Sequence, residues 1–388
     1  MEIPRGDAVT LTQALTRIDS RNPVLTPGAP GESNIAATLA VILERWGFDV
    51  ELSNAVPGRP NLVARLGPAA APAILFAGHL DTVDVEGMTH DPFDGRIVDG
   101  RIYGRGSTDM KSGVAAMCAA AAIAYDRCGG NPSRQLVIAA VADEEYESVG
   151  MTALIDSGIS AEWAILTEPT RLSICPAHRG FVWAELDFTG RAAHGSRYDV
   201  GIDAITHAGL VIAELDELER VGLRDRSHPL LGRASLHAST IAGGIGISTY
   251  PDKCLLSVER RTIPGETPSS VLREIESACE RARATRPEIS VAVRLTGAQL
   301  PSDVAVDAPV VTAVAGALAA ENLPVTIEGL SAWTDAALLN EAGIPAICFG
   351  PGDIALAHAA EEYVKVDEIE SATTVLTRIA TDWMMERW

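Results

Sequence analysis

Seven side chains of the types that hold divalent metal or move protons are strung through this chain, at or just beyond the ends of apolar runs. His79 and Asp81 close AILFAGHLDTVD, and Asp109 sits in the glycine-bracketed turn GRGSTDMKSG. Glu144 and Glu145 end QLVIAAVADEE, Glu168 lies in WAILTEPT, and His358 lies in AICFGPGDIALAHAAEE. Hydrophobic runs that repeatedly deliver His, Asp or Glu at their carboxyl ends point to one shared site, and the expected occupant is metal. Zinc takes imidazole nitrogen and carboxylate oxygen at about 2.0–2.2 Å, and two ions ~3.5–4 Å apart can share a bridging carboxylate.

Each position has its own chemistry. His79 and Asp81 are two apart, so on a strand they point the same way. A carboxylate placed there can receive the second ring N–H of a metal-bound imidazole. The glycines around Asp109 let backbone turn sharply beside a ligand. The dinucleotide pattern G-x-G-x-x-G is broken in GRGSTD, and Lys111 has no phosphate-loop spacing around it. Adjacent buried acids such as Glu144 and Glu145 are costly unless a cation neutralises them. On extended chain they face opposite sides, so one can ligate while the other faces substrate. A carboxylate about one hydrogen bond from the attacking water is the usual general base of metal-assisted hydrolysis. Taken singly, each residue also has an ordinary reading, as a strand-end hydrogen bond or a solvated acidic turn; their force is joint. A serine-nucleophile elbow G-x-S-x-G and a zinc helix H-E-x-x-H are both absent from the sequence.

The elements that must position these groups alternate. The sequence predicts a helix over residues 32–46 stopped by Gly47, short β-rich runs FDVELS, NLVARL and AILFAGHL, a helix over 113–125, a strand over 136–142, and then MTALIDSG and WAILTE. Such alternation with hydrophobic strands indicates an α/β sheet covered on both faces, whose ligand crevice lies outside the carboxyl ends of the strands. From residue 177 to 299 the texture changes to alternating strands and two amphipathic helices, and near residue 300 the first texture returns. The expected architecture is a discontinuous catalytic domain of mixed sheet and helices (1–176 and 300–388) with an inserted α+β lid or dimerisation domain (177–299).

Bulk composition narrows the partners. Of 388 residues, 47% are hydrophobic and 21% charged, enough for a sizeable core, and the net charge is −21. A chain this acidic repels nucleic acid and anionic membrane, so neither is an expected partner. Six cysteines without CxxC spacing argue against a disulfide framework and against cysteine-ligated metal. No run reaches the ~18 apolar residues of a membrane span, and the N-terminus has no signal core, so a soluble cytoplasmic protein is expected.

The segments GHLDTVDV, HDPFDGRIVDGRIYGRGSTDMKSG, ADEE, TEPT and FGPGDIALAHAAEEYV together resemble the dinuclear zinc-dependent deacylases and exopeptidases, the family of acetylornithine deacetylase, succinyl-diaminopimelate desuccinylase and glutamate carboxypeptidase. The resemblance covers nearly the whole chain. It implies two zinc ions per subunit (cobalt or manganese can also occupy such N/O sites), with Asp109 bridging, His79 and Glu168 completing one ion, and Glu145 and His358 the other. It implies Glu144 as general base, Asp81 orienting His79, and a lid domain through which two subunits pair as a homodimer. In GRAAHGSRYDVGIDAI, His194 corresponds to the histidine that reaches the partner's site and stabilises the developing oxyanion. In VERRTIPGE, Arg261 corresponds to the arginine aimed at the substrate carboxylate. Ser248 stands in GGIGISTYP where the family often has asparagine, and Trp333 in GLSAWTD is bulky for a pocket-forming turn. The expected activity is cleavage of the amide of an N-acyl amino acid. Alternatives are a carboxypeptidase- or dipeptidase-like exopeptidase, an aminopeptidase on a similar catalytic domain, or a non-catalytic metal-binding dimer.

Overall fold

The computed structural model describes residues 3–387. They form two compact units, the first of residues 3–176, 304–328 and 334–387, the second of residues 177–303 and 329–333.

At the centre of the first unit four strands run parallel, in the spatial order Gln135–Val141, Ala73–His79, Ala164–Leu166 and Ala346–Cys348. Arg59–Leu66 pairs antiparallel with Gln135–Val141, and Asp49–Val56 antiparallel with Arg59–Leu66, so the sheet is mixed. Ala73–His79 and Gln135–Val141 are buried at every position, which is why their sequences read as unbroken apolar runs rather than alternating ones. The helix Ser33–Arg45 ends at Gly47, whose φ of 83° is the left-handed conformation a helix stop favours.

The alanine-rich helix Ser112–Arg127 is buried around nearly its whole circumference and packs against Val366–Met384 and Ala8–Thr16. Small side chains permit this close approach. At Gly113 no side chain fits, because a Cβ there would lie 1.9 Å from the carbonyl oxygen of Thr167. The helix is thereby seated directly on the strand that leads to Glu168.

The second unit has a four-stranded antiparallel sheet in the order Ser235–Gly243, Lys253–Thr262, Gly180–Thr189, Ser290–Gln299. Burial alternates along Gly180–Thr189 and Lys253–Thr262, the period of a sheet with one covered face. Leu186, Phe188, Leu256 and Val258 on that face share a core with Val211 of helix Ala204–Glu217 and Ile275 of helix Pro268–Thr285. The latter helix begins with a reciprocal cap between Thr267 and Ser270 and with Pro268 in its first turn.

The unit extends past the expected residue 299 because Ser302 and Asp303 pair as a strand with His178 and Ala177. It also takes back residues 329–333, where Trp333 meets the rings of His178 and Phe181 edge-on. Among the described residues no helix is long and apolar enough to cross a membrane.

Candidate metal centre

The seven residues of the first unit converge. His79 is the last residue of its strand, Glu144 and Glu145 lie just past Gln135–Val141, and Glu168 lies two beyond Ala164–Leu166. All three are at carboxyl ends of parallel strands, where an open α/β sheet forms its crevice. Asp109 stands in the turn Ser107–Lys111 that opens helix Ser112–Arg127, entered through Gly106 in the left-handed region (φ 78°). His358 comes from the loop after Ala346–Cys348 and itself has φ 60°, uncommon for a residue with a side chain and of the kind that concentrates at functional sites.

The geometry has two halves joined by Asp109. One oxygen, Oδ1, is 3.1 Å from Nε2 of His79, and the other, Oδ2, is 3.6 Å from Nε2 of His358. His358 Nε2 also lies 3.0 Å from Oε2 of Glu145. Donor atoms of His79, Asp109 and Glu145 all fall within 4.8 Å of one another, the spacing of a metal ligand set. Oε2 of Glu144 lies 3.9 Å from His79 Nε2. Glu168 is buried with its Oε1 unpartnered, which is expensive unless a cation belongs there.

His79 Nδ1 is 3.0 Å from the backbone carbonyl of Asp81 and 3.7 Å from its carboxylate. The expected carboxylate–imidazole contact is therefore made by the carbonyl of the same residue, which leaves Nε2 as the ring nitrogen turned to Asp109. The Asp81 carboxylate turns instead to the Glu144–Glu145 turn, accepting the backbone N–H of Glu144 at 3.1 Å and of Glu145 at 3.3 Å.

The electrostatics are those of buried carboxylates crowded together. Burial, together with the neighbouring Asp109, Asp335 and Glu145, pushes Glu168 up to about 8 despite His79. Burial, with Glu168 and Asp335 nearby, raises Glu144 well above the usual range, and burial likewise raises Glu145. The two histidines are shifted toward their charged forms. Burial opposes charge on His79, but its hydrogen bond to Asp109 and the charge of Glu144 outweigh that and hold it well above its ordinary value. The bond to Glu145 lifts His358 to about 9. Split carboxylate, paired imidazoles and an orphaned glutamate oxygen fit divalent metal by the chemistry of the donor set. Glu168→Gln should accordingly lower metal content while raising the melting temperature of chelated protein at pH 8 by about 2–4 °C, read by thermal shift and elemental analysis.

Two residues beside this centre, Asp335 in GLSAWTD and Glu362 in FGPGDIALAHAAEEYV, lie in segments the sequence brought out but were not themselves singled out. Asp335 is buried, and although Ser148 lies close enough to ease its ionisation, neither carboxylate oxygen completes a hydrogen bond; burial raises it to about 7. Glu362, four residues after His358, is fully buried and ties the two ligand loops together. It accepts from Arg105 Nη1 at 2.6 Å, the Thr108 N–H at 3.0 Å and the Asp109 N–H at 3.3 Å.

The other expected residues belong to the second unit. His194 is exposed, its Nδ1 2.8 Å from the Ser196 hydroxyl. The Ser248 carbonyl accepts the Gly195 N–H at 2.7 Å. Arg261 is held by Glu259 (3.1 Å to Nε) over the Phe181 ring, whereas Arg260 is buried and bonded to Glu266. Trp333 donates its indole N–H to the Leu300 carbonyl at 3.1 Å.

A mixed α/β unit that gathers imidazoles and carboxylates at the ends of parallel strands, interrupted in sequence by an α+β unit, defines a metal-dependent hydrolase. The chain belongs to the peptidase family M20/M25/M40, whose family model matches residues 75–382. It is 31% identical over 348 residues to an acetylornithine deacetylase of Myxococcus xanthus, covering 87% of this chain and 88% of that one. In fold it is similar to an M20 family metallo-carboxypeptidase of Sulfolobus solfataricus, with a TM-score of 0.81 at 17% identity over 97% of this chain and 99% of that one. It is also similar to a dinuclear metal binding peptidase of the M20 family from Bacillus subtilis, with a TM-score of 0.73 at 15% identity over 97% of each chain.

Proposed function

We propose that the chain is a zinc-dependent amidohydrolase that releases the acyl group of an N-acyl amino acid. The observation that carries this reading is the split of Asp109, one oxygen toward His79 and the other toward His358, which Glu145 also contacts, with Glu144 beside His79. His79, Asp109 and Glu168 would hold one zinc, and Asp109, Glu145 and His358 the other. When bound, the ions polarise the amide carbonyl and lower the pKa of water from 15.7 to about 7.

The chain's own groups do the rest. Glu144 takes a proton from the attacking water and delivers it to the leaving nitrogen. Asp81 fixes the His79 ring through its carbonyl and the base-bearing turn through its carboxylate. His194 donates to the oxyanion from a partner subunit, Arg261 takes the substrate carboxylate, and Ser248 contributes to the grip. Pairing of two subunits through the second unit is supported by its edge strand Ser235–Gly243, which is largely exposed and carries Ile241 at 51% exposure. A cytoplasmic setting is supported by six cysteines all present as free thiols.

The deacetylase relative, 31% identical, favours an acyl group over a peptidyl one. The test is a panel of N-acetyl-, N-succinyl- and N-formyl-amino acids beside dipeptides, assayed with zinc, cobalt and manganese. Turnover confined to dipeptides would overturn the deacylase reading, and no turnover with intact metal binding would favour a non-catalytic dimer. His194→Ala is expected to lower kcat about 10²–10³-fold without releasing metal. Mixing it with a metal-site variant should restore part of the activity if the histidine acts across subunits.

A further inference from the structure

The turn bearing Glu144 and Glu145 is held partly from within, the Ser148 N–H donating to the Asp143 carbonyl at 2.6 Å, and partly by residues distant in sequence. Asp143 and Ser148 within it both have positive φ, at 69° and 55°, so the backbone is bent into conformations that side chains disfavour. Side chains both within the turn and outside it hold that backbone. The Asp143 carboxylate accepts the Glu147 N–H at 3.3 Å and the Val149 N–H at 3.4 Å, while the Asp81 carboxylate takes the Glu144 and Glu145 amides. These two buried acids form the mould of the turn.

Asn22 joins them. Its Nδ2 donates one hydrogen to Asp81 Oδ2 at 2.8 Å and the other to Asp143 Oδ1 at 2.9 Å, and its Oδ1 accepts the Val24 N–H at 3.0 Å, which fixes the amide orientation. Asn22 is itself fully buried and stapled to the Asp81 turn, its N–H donating to the Thr82 carbonyl at 2.8 Å. Arg59, the cation of this buried group, bonds Glu32 and Asp143. Among the described residues, Asp81 receives only neutral donors besides His79. Without the Asn22 amide, two facing carboxylates lose their shared donor and repel.

We propose that Asn22 is a positioning residue for Glu144 and Glu145, acting through Asp81 and Asp143. This rests on reading Glu144 as the base, but the restraint itself is tested independently of substrate. In metal-loaded Asn22→Ala, amide hydrogen exchange should accelerate in residues 143–149 and stay unchanged in helix Val366–Met384. Zinc affinity, measured by competition with a chromophoric chelator, should weaken, and kcat should fall, each about 10–100-fold, with KM within about twofold of the parent, the scale of supporting contacts around metal ligands. Asn22→Ser, which keeps a small donor, should recover part of kcat and provides the test if the alanine variant does not fold. Unchanged exchange in 143–149, or exchange raised uniformly across the fold, would overturn the proposal. If no N-acyl substrate is turned over, the functional reading fails while the exchange and affinity measurements still decide the role of Asn22.

Discussion

Glu144→Gln is expected to keep its metal and lose turnover by about 10²–10⁴-fold, the contribution typical of a positioned general base. Glutamine preserves volume and the backbone N–H that donates to Asp81, so the turn should stay intact. What it removes is the proton-accepting oxygen 3.9 Å from His79 Nε2. Glu145 one residue on cannot substitute, because its carboxylate already faces His358 at 3.0 Å. Elemental analysis and steady-state kinetics on the same preparation provide the check. Near-parental kcat in a metal-replete variant would move the base assignment elsewhere, and metal loss would make Glu144 a ligand.

The proposed division of labour between adjacent glutamates starts in the sequence from neighbours on extended chain facing opposite ways. The structure adds a contact that sequence spacing cannot show: Glu145 pairs with a histidine 213 residues away. Strand ends were legible because fully buried parallel strands leave continuous apolar runs, and a His or Glu closing such a run stands out. The helix Ser112–Arg127 was legible in the same way, though it runs two residues further than its apolar pattern because Asp126 and Arg127 complete the last turn.

What could not be read were supports whose partners lie far apart. Asn22 and Asp143 are 121 residues distant, and nothing in SRNP marks an amide destined to bridge two carboxylates. Nor could the sequence show that the Asp81 carbonyl would take the His79 ring, since every residue has a carbonyl. The return of residues 329–333 to the second unit was equally silent, being accompanied by ring contacts of Trp333 and by the Arg179 N–H donating to the Leu330 carbonyl, neither of which shifts the composition.

Removal of metal is the second change with a large expected effect, and its dependence on pH has a definite sign. Chelation should abolish hydrolysis and lower the melting temperature, and the lowering should grow as pH rises from 5 to 8. In the metal-free fold Glu168 is raised from an ordinary 4.5 to about 8 and Asp335 from 3.8 to about 7. Between those values the folded chain holds more protons than the unfolded chain, so stability falls as pH rises. His358, raised from 6.5 to about 9, acts in the same direction: its contribution is full below pH 6.5 and is lost as pH passes through 9. Asp109 is shifted downward against its burial, chiefly by its hydrogen bond to His79, so its opposite contribution is lost only at acid pH, below this window. Metal ions take the place of those protons and should flatten the profile, contributing about 2.7 kcal/mol at a free concentration of 100 times Kd. Thermal melts of chelated and zinc-loaded protein across pH 5–8 measure the difference directly. Asp109→Asn, which weakens the one group serving both halves of the centre, should leave the two profiles nearly superimposed. A chelated protein that instead gains stability from pH 5 to 8 would mean that these carboxylates are already compensated by protein groups, and the site would have no need of a cation.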